Sequence, residues 1–175
     1  MVFLQDTFGS TDPEEHPRFA SVAMEIARML SSSTRSLIAA NVTATLLRDN
    51  FDFNFWCKVL SFMTGLIQRH VAKFGEHPCD LLNQNKPTRL GRMMGSTSED
   101  LMVYDQYQCS SKEAVPNITL HDVIYGSVKP HGKFEVLAWR SRIPPYYNYI
   151  YTCQIQGLKT KAAKRKHCQN NEITS

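Results

Sequence analysis

Apolar residues fall at helical spacing up to about residue 75 and alternate with polar residues after about residue 115, so the chain changes character in between. From Arg18 to Ser32, Phe19, Val22, Ile26, Met29 and Leu30 recur at that spacing behind Pro17, which suits an early helical position. A second helix is expected from about Thr34, a possible cap, to Asp49, with Leu37, Ile38, Val42, Leu46 and Leu47 along one side. A third, from about Asn54 to Phe74, is apolar on most sides and stops at Gly75, so it is expected to be the central helix of this half. Residues 76 to 98 turn to Pro, Gly, Asn, Lys and Arg, the composition of a linker, which places a boundary near residue 95.

Beyond that boundary, Ser98-Glu-Asp reads as a helix start, and Leu101, Met102, Tyr104 and Tyr107 extend the helix to about Cys109. Strands are expected at about 118–128, 133–142 and 147–156, with Pro130-His131-Gly132 and Ile143-Pro144-Pro145 as turns. In the last strand Tyr147, Tyr149, Tyr151, Cys153 and Ile155 share one face. A basic helix closes the chain. The expected fold class is α+β: a helical module over 1–95, then an α-β-β-β-α domain over 96–175.

Composition adds a globular core, since 42% of the residues are hydrophobic and 10% aromatic. No basic leader with an apolar run opens the chain, and no stretch approaches the ~18 apolar residues of a membrane span, so an intracellular protein without membrane insertion is expected. Cysteines 57, 79, 109, 153 and 168 form no C-x-x-C pair and read as structural thiols. Two sequons, at Asn41 and Asn117, read as chance in an intracellular chain.

Charge changes the picture most. Basic and acidic residues balance up to Leu158, and all of the net charge of +4 lies in the last seventeen residues, where Lys159, Lys161, Lys164, Arg165 and Lys166 face a single acid, Glu172. Gly157-Leu-Lys-Thr-Lys-Ala-Ala-Lys164 sets a glycine and a short link before a basic helix start, an arrangement suited to phosphate.

That stretch resembles the final helix of the double-stranded RNA-binding domain, in which a glycine and two residues precede Lys-Lys-x-Ala-Lys; Lys161, Ala163 and Lys164 match, and Thr160 stands in the place of the first lysine. Tyr104-Asp105-Gln106-Tyr107 is similar to the family's Leu-Asn-Glu-Tyr-like run on its first helix. Gly126 through Pro130-His131 to Phe134 is similar to its Gly-Pro-x-His loop, with altered spacing. The resemblance spans about residues 98 to 172. It implies that Lys161 and Lys164, with Lys159 and Arg165 beside them, hold phosphates, that Asp105 and Gln106 probe one minor groove, and that Lys129, His131 and Lys133 probe the next, over up to ~16 base pairs of A-form RNA.

The expected function is therefore non-catalytic binding of double-stranded RNA, without a cofactor, while the N-terminal helices bind a partner protein or a second copy. One alternative is a protein-protein adaptor that keeps the fold without the RNA. Another is an inactive ribonuclease III-like subunit, since those enzymes place a helical domain first; here Glu25, Asp49 and Asp52 are too few and scattered for the acidic signature helix. No P-loop, nucleophile-elbow or H-E-x-x-H motif is present. Lys164-Arg-Lys166 also fits a nuclear localisation patch or solubilising charge. Pro144-Pro-Tyr-Tyr147 matches the P-P-x-Y pattern of WW-domain ligands, and a loop between strands explains it equally. Phe51, Phe53, Phe55 and Trp56 are either core or an interface anchor.

Overall fold

A computed structural model describes residues 2–31, 37–94, 99–110 and 115–157. The helical half holds α1 (Val2–Phe8), α2 (Pro17–Ser31), α3 (Leu37–Asp49) and α4 (Phe53–Phe74), with a 3₁₀ turn at Pro13–Glu15. The ends of α4 follow from its caps. The Asp52 carboxylate accepts from the Phe55 N–H, and Gly75, at φ 72°, closes the helix in the left-handed region that glycine adopts without strain. The cap expected at Thr34 lies outside the described residues.

These helices bury their apolar stripes on one another. Ala23, Ile26, Leu46, Leu47, Trp56 and Val59 are buried to within 1%. Trp56 satisfies its indole by donating Nε1–H to Leu47 O and Asn50 O, both at 2.9 Å, which ties the end of α3 to the start of α4. Phe8, Phe19 and Phe51 pack edge-on around Trp56 with centroids 4.9–5.5 Å away. The aromatic cluster is thus mainly core, with Phe51 at its exposed rim.

The segment expected as a linker contains two elements, α5 (Pro78–Asn83) and β1 (Thr88–Gly91). Then come β2 (Glu99–Cys109), α6 (Leu120–Ile124), β3 (Lys133–Arg140) and β4 (Asn148–Gly157), and the four strands form one antiparallel sheet in the order β1-β2-β4-β3. The mixture of helix and antiparallel sheet is α+β. The helix expected over 98–109 is instead strand β2, because a strand lies on each side to pair with it: Leu101 opposes Leu90 and Ile155, and Val103 opposes Thr88 and Cys153. Alternation of Leu101 and Val103 against Met102 and Tyr104 prevails over the helical spacing of the same residues. The strand expected over 118–128 is largely the short helix α6, closed by a capping box in which Thr119 and Asp122 bond each other's backbone N–H. The order α-β-β-β-α is therefore not the order of elements between residues 99 and 157, and the closing basic helix lies outside the described residues.

One face of the sheet meets the helices. Leu90, Leu101, Val103, Val136, Tyr151 and Cys153 form a second cluster with α6, and Ile38 of α3 and Phe62 of α4 pack against it. Phe62 and Tyr125 touch both clusters, so helices and sheet share one interior. Pairing of β1 with β2 also joins the residues on either side of the boundary placed at residue 95. Burial pushes the pKa of the Cys153 thiol up to about 12.

Candidate nucleic-acid interface

The residues proposed for RNA contact fall in different places. Asp105 and Gln106 sit on β2 rather than on a helix and bond to the neighbouring turn. Asp105 Oδ1 accepts from Asn85 Nδ2 at 2.9 Å, the Gln106 backbone N–H donates to Asn85 Oδ1 at 3.1 Å, and Gln106 Nε2 donates to Leu82 O. They hold the end of α5 against the sheet. Asn85 adopts φ 52°, a left-handed conformation that asparagine tolerates, which lets its amide reach β2. Lys129 bonds Glu99, and His131 is an exposed loop residue before Gly132. Lys133 begins β3 and sets its Nζ 4.7 Å from the Tyr104 ring centroid. Lys159, Lys161, Lys164 and Arg165 lie outside the described residues. Pro144 to Tyr147 form the exposed connection between β3 and β4.

A different group of basic residues converges. Leu66, Arg69, His70 and Lys73 recur at i, i+3, i+4 and i+7 on α4, so they share one face of the helix. Together with Arg89, Gly91 and Arg92 of the β1 region and Glu99 and Asp100 of β2, they enclose a groove of about 520 Å³. Gly91 permits the close approach. A Cβ at that position would lie 3.1 and 3.3 Å from ring atoms of Phe62.

Charges in the groove are unequally compensated. Arg92 is almost fully buried, and its guanidinium donates to Val123 O at 3.0 Å, Val128 O at 3.1 Å and Glu99 at 3.1 Å. Glu99 also bonds Lys129, and that hydrogen bond, aided by the charges of Lys129 and Arg92, holds its carboxyl below the usual range against some desolvation. Arg89 lies 3.7 Å from Asp100. Arg69 and Lys73 have no carboxylate partner among the described residues. Among the described residues, the groove therefore holds two cations without a carboxylate partner. His70 is 4% exposed; its Nδ1 faces Glu76 O at 3.0 Å, and its Nε2 has no hydrogen-bond partner among the described residues.

Arg89 also belongs to the outer face of the sheet, where a polar ladder continues the groove. Its Nη2 reaches Gln156 Oε1 at 3.4 Å, Gln156 Nε2 donates to Tyr104 Oη at 2.6 Å, and Tyr104 Oη donates to Gln154 Oε1 at 2.8 Å. Tyr107, 39% exposed, donates its hydroxyl to Glu135 at 2.9 Å; burial first, then Glu135, raises its pKa, so it remains a neutral ring near pH 7. The β4 strand ends at Gly157, which pairs with Glu99 of the groove. Sequence reading missed Arg69, Lys73 and Arg89. The first two were visible as cations one turn apart on the polar side of α4, whereas Arg89 stood in apparent linker.

Comparisons of the chain with known protein families, curated proteins and solved structures find no match. Among the described residues, no group of three His, Cys, Asp or Glu side chains is placed to hold a metal, and no helix is long and apolar enough to cross a membrane.

Proposed function

We propose that the protein is a non-catalytic RNA-binding protein or subunit whose groove between α4 and β1 holds the sugar-phosphate backbone of an unpaired strand. The observation that carries this reading is the pair Arg69 and Lys73, cations without carboxylate partners among the described residues, facing Arg89 across a groove that continues onto the tyrosine-bearing sheet. Phosphates supply the missing counter-charge, and the rings of Tyr104 and Tyr107 offer π-faces to bases. Five further basic residues follow in the sequence, starting two residues after Gly157.

Duplex RNA is the second reading, favoured by the glycine-to-Lys164 pattern of the tail. Fluorescence anisotropy with single-stranded RNA, duplex RNA and duplex DNA of equal length separates the two. Tightest binding to the single strand, with a log-log salt slope that falls by about one to two in Arg69→Ala/Lys73→Ala, is the expected result, since each lost phosphate contact contributes ~0.7 on a single strand. Tighter duplex RNA binding that depends on Lys161 and Lys164 would transfer the function to the tail. Absence of binding even at low salt would leave the adaptor reading.

A further inference from the structure

The polar ladder on the outer face of the sheet has a direction. Met102 of β2 and Lys133 of β3 lie opposite Gln154 of β4 on its two sides, and Arg89 of β1 lies opposite Met102. Arg89 has only donors, so the Gln156 atom that faces it is Oε1, and the Gln156 amide nitrogen is turned toward Tyr104. The Tyr104 hydroxyl accepts from that nitrogen and therefore gives its own hydrogen to Gln154 Oε1. The chain of bonds ends there. Neither N–H of Gln154 Nε2 has a partner among the described residues, and beside it the exposed ammonium of Lys133 has only the Tyr104 ring, 4.7 Å from its Nζ. Run in the opposite direction, the same ladder would present an oxygen at Gln154.

We propose, on the reading that the groove holds a single strand of RNA, that this corner selects guanine among the bases of that strand. Gln154 Nε2 and Lys133 Nζ donate to O6 and N7 while the purine stacks on Tyr104. A corner that offers only donors suits a base with two adjacent acceptors and no donor beside them. Guanine presents that pair on the edge that carries O6 and N7, whereas adenine sets its amino group beside N7, and each uracil carbonyl adjoins the N3–H. Cytosine has O2 and N3, but its single ring covers less of the tyrosine. Stacking requires Lys133 to leave the ring face. That exchange is favourable, because an exposed cation–π contact is weaker than the stacking of a base on an aromatic ring, and the displaced ammonium, on its flexible stem, gains an acceptor at the edge of the purine.

Fluorescence anisotropy with the whole chain and uridine octamers that carry one central guanosine, adenosine or cytidine, or none, tests the choice. The guanosine strand should bind about tenfold more tightly than the other three. Inosine, which keeps O6 and N7, should match guanosine, and 7-deazaguanosine, which lacks the N7 acceptor, should lose most of the gain. In Gln154→Glu the carboxylate still accepts from Tyr104 but offers no donor, so the preference should vanish. Tyr104→Phe keeps the ring and cuts the ladder, and should reduce the preference while leaving affinity for the plain uridine octamer within about twofold. Equal affinity for all four strands, or tighter binding of the adenosine or cytidine strand, would overturn guanine selection alone, because groove binding would persist with its salt slope still dependent on Arg69 and Lys73. Absence of binding to every strand would overturn both. The base series uses the unmodified protein, so it decides even where a substitution prevents folding.

Discussion

At the scale of single residues, the fold depends on side chains that satisfy buried backbone. Trp56 fills the centre of the helical core and gives its one N–H to two carbonyls at the junction of α3 and α4. Trp56→Phe retains an aromatic ring but loses that donor, so a loss of about 1–3 kcal/mol is expected in urea unfolding. Unchanged stability would mean that the junction is held by packing alone. Asp122 has a pH signature. Hydrogen bonds from the Thr119 side chain, and then its backbone, hold the carboxyl below its ordinary 3.8, so the cap contributes fully above that pH and is lost as pH falls through the lower folded value. The difference in Tm between the native chain and Asp122→Ala should therefore be constant above about pH 5 and close in stronger acid. A gap unchanged at pH 2 would contradict that assignment. Thr119-x-x-Asp122 was visible in the sequence as a helix-start signature. It was overlooked because the apolar residues around it suit a strand as well as one helical turn.

At the scale of elements, long periodic helices were legible and short paired elements were not. The residues from Phe53 to Phe74 carry six turns of consistent pattern with a cap at each end, so α4 was readable without its neighbours. In contrast, β1 has four residues, too few for alternation to register, and exists because Thr88 to Gly91 pair with Val103 to Asp100. The residues of β2 fit either period, and only those neighbours decide. The helical placement of Asp105 and Gln106 followed from the same misreading, whereas on β2 they bond to the Asn85 turn. A further test concerns the end of α6. A Cβ on Gly126 would lie 2.6 Å from Asp122 O, a backbone atom that cannot yield as a flexible side chain would. Gly126→Ala should destabilise the protein by about 1–3 kcal/mol in thermal or urea unfolding, the range for overpacking, and a neutral effect would mean that the α6 turn shifts freely.

At the scale of the whole molecule, charge segregation was legible in the sequence, but the place where it meets the fold was not. The last described residue, Gly157, pairs with Glu99, a contact between residues far apart in the chain. The same long-range pairing governs cooperativity. Removing residues after 95 would take away β2, the partner of β1, and would uncover Leu82 and Leu90 together with the sides of Ile38 and Phe62 that pack on the sheet. Phe62 and Tyr125 belong to the surroundings of both core clusters, so opening either cluster exposes apolar surface of the other. The chain should therefore unfold as one unit, and a fragment of residues 1–95 should not fold alone. Native-state hydrogen exchange reads this directly: the slowest amides of α4 and of β4 should share one opening free energy and one denaturant slope. If β4 opened at a markedly lower free energy than α4, with a smaller slope, the shared interior around Phe62 would be too weak to couple the halves, and the helices would constitute a separate folding unit.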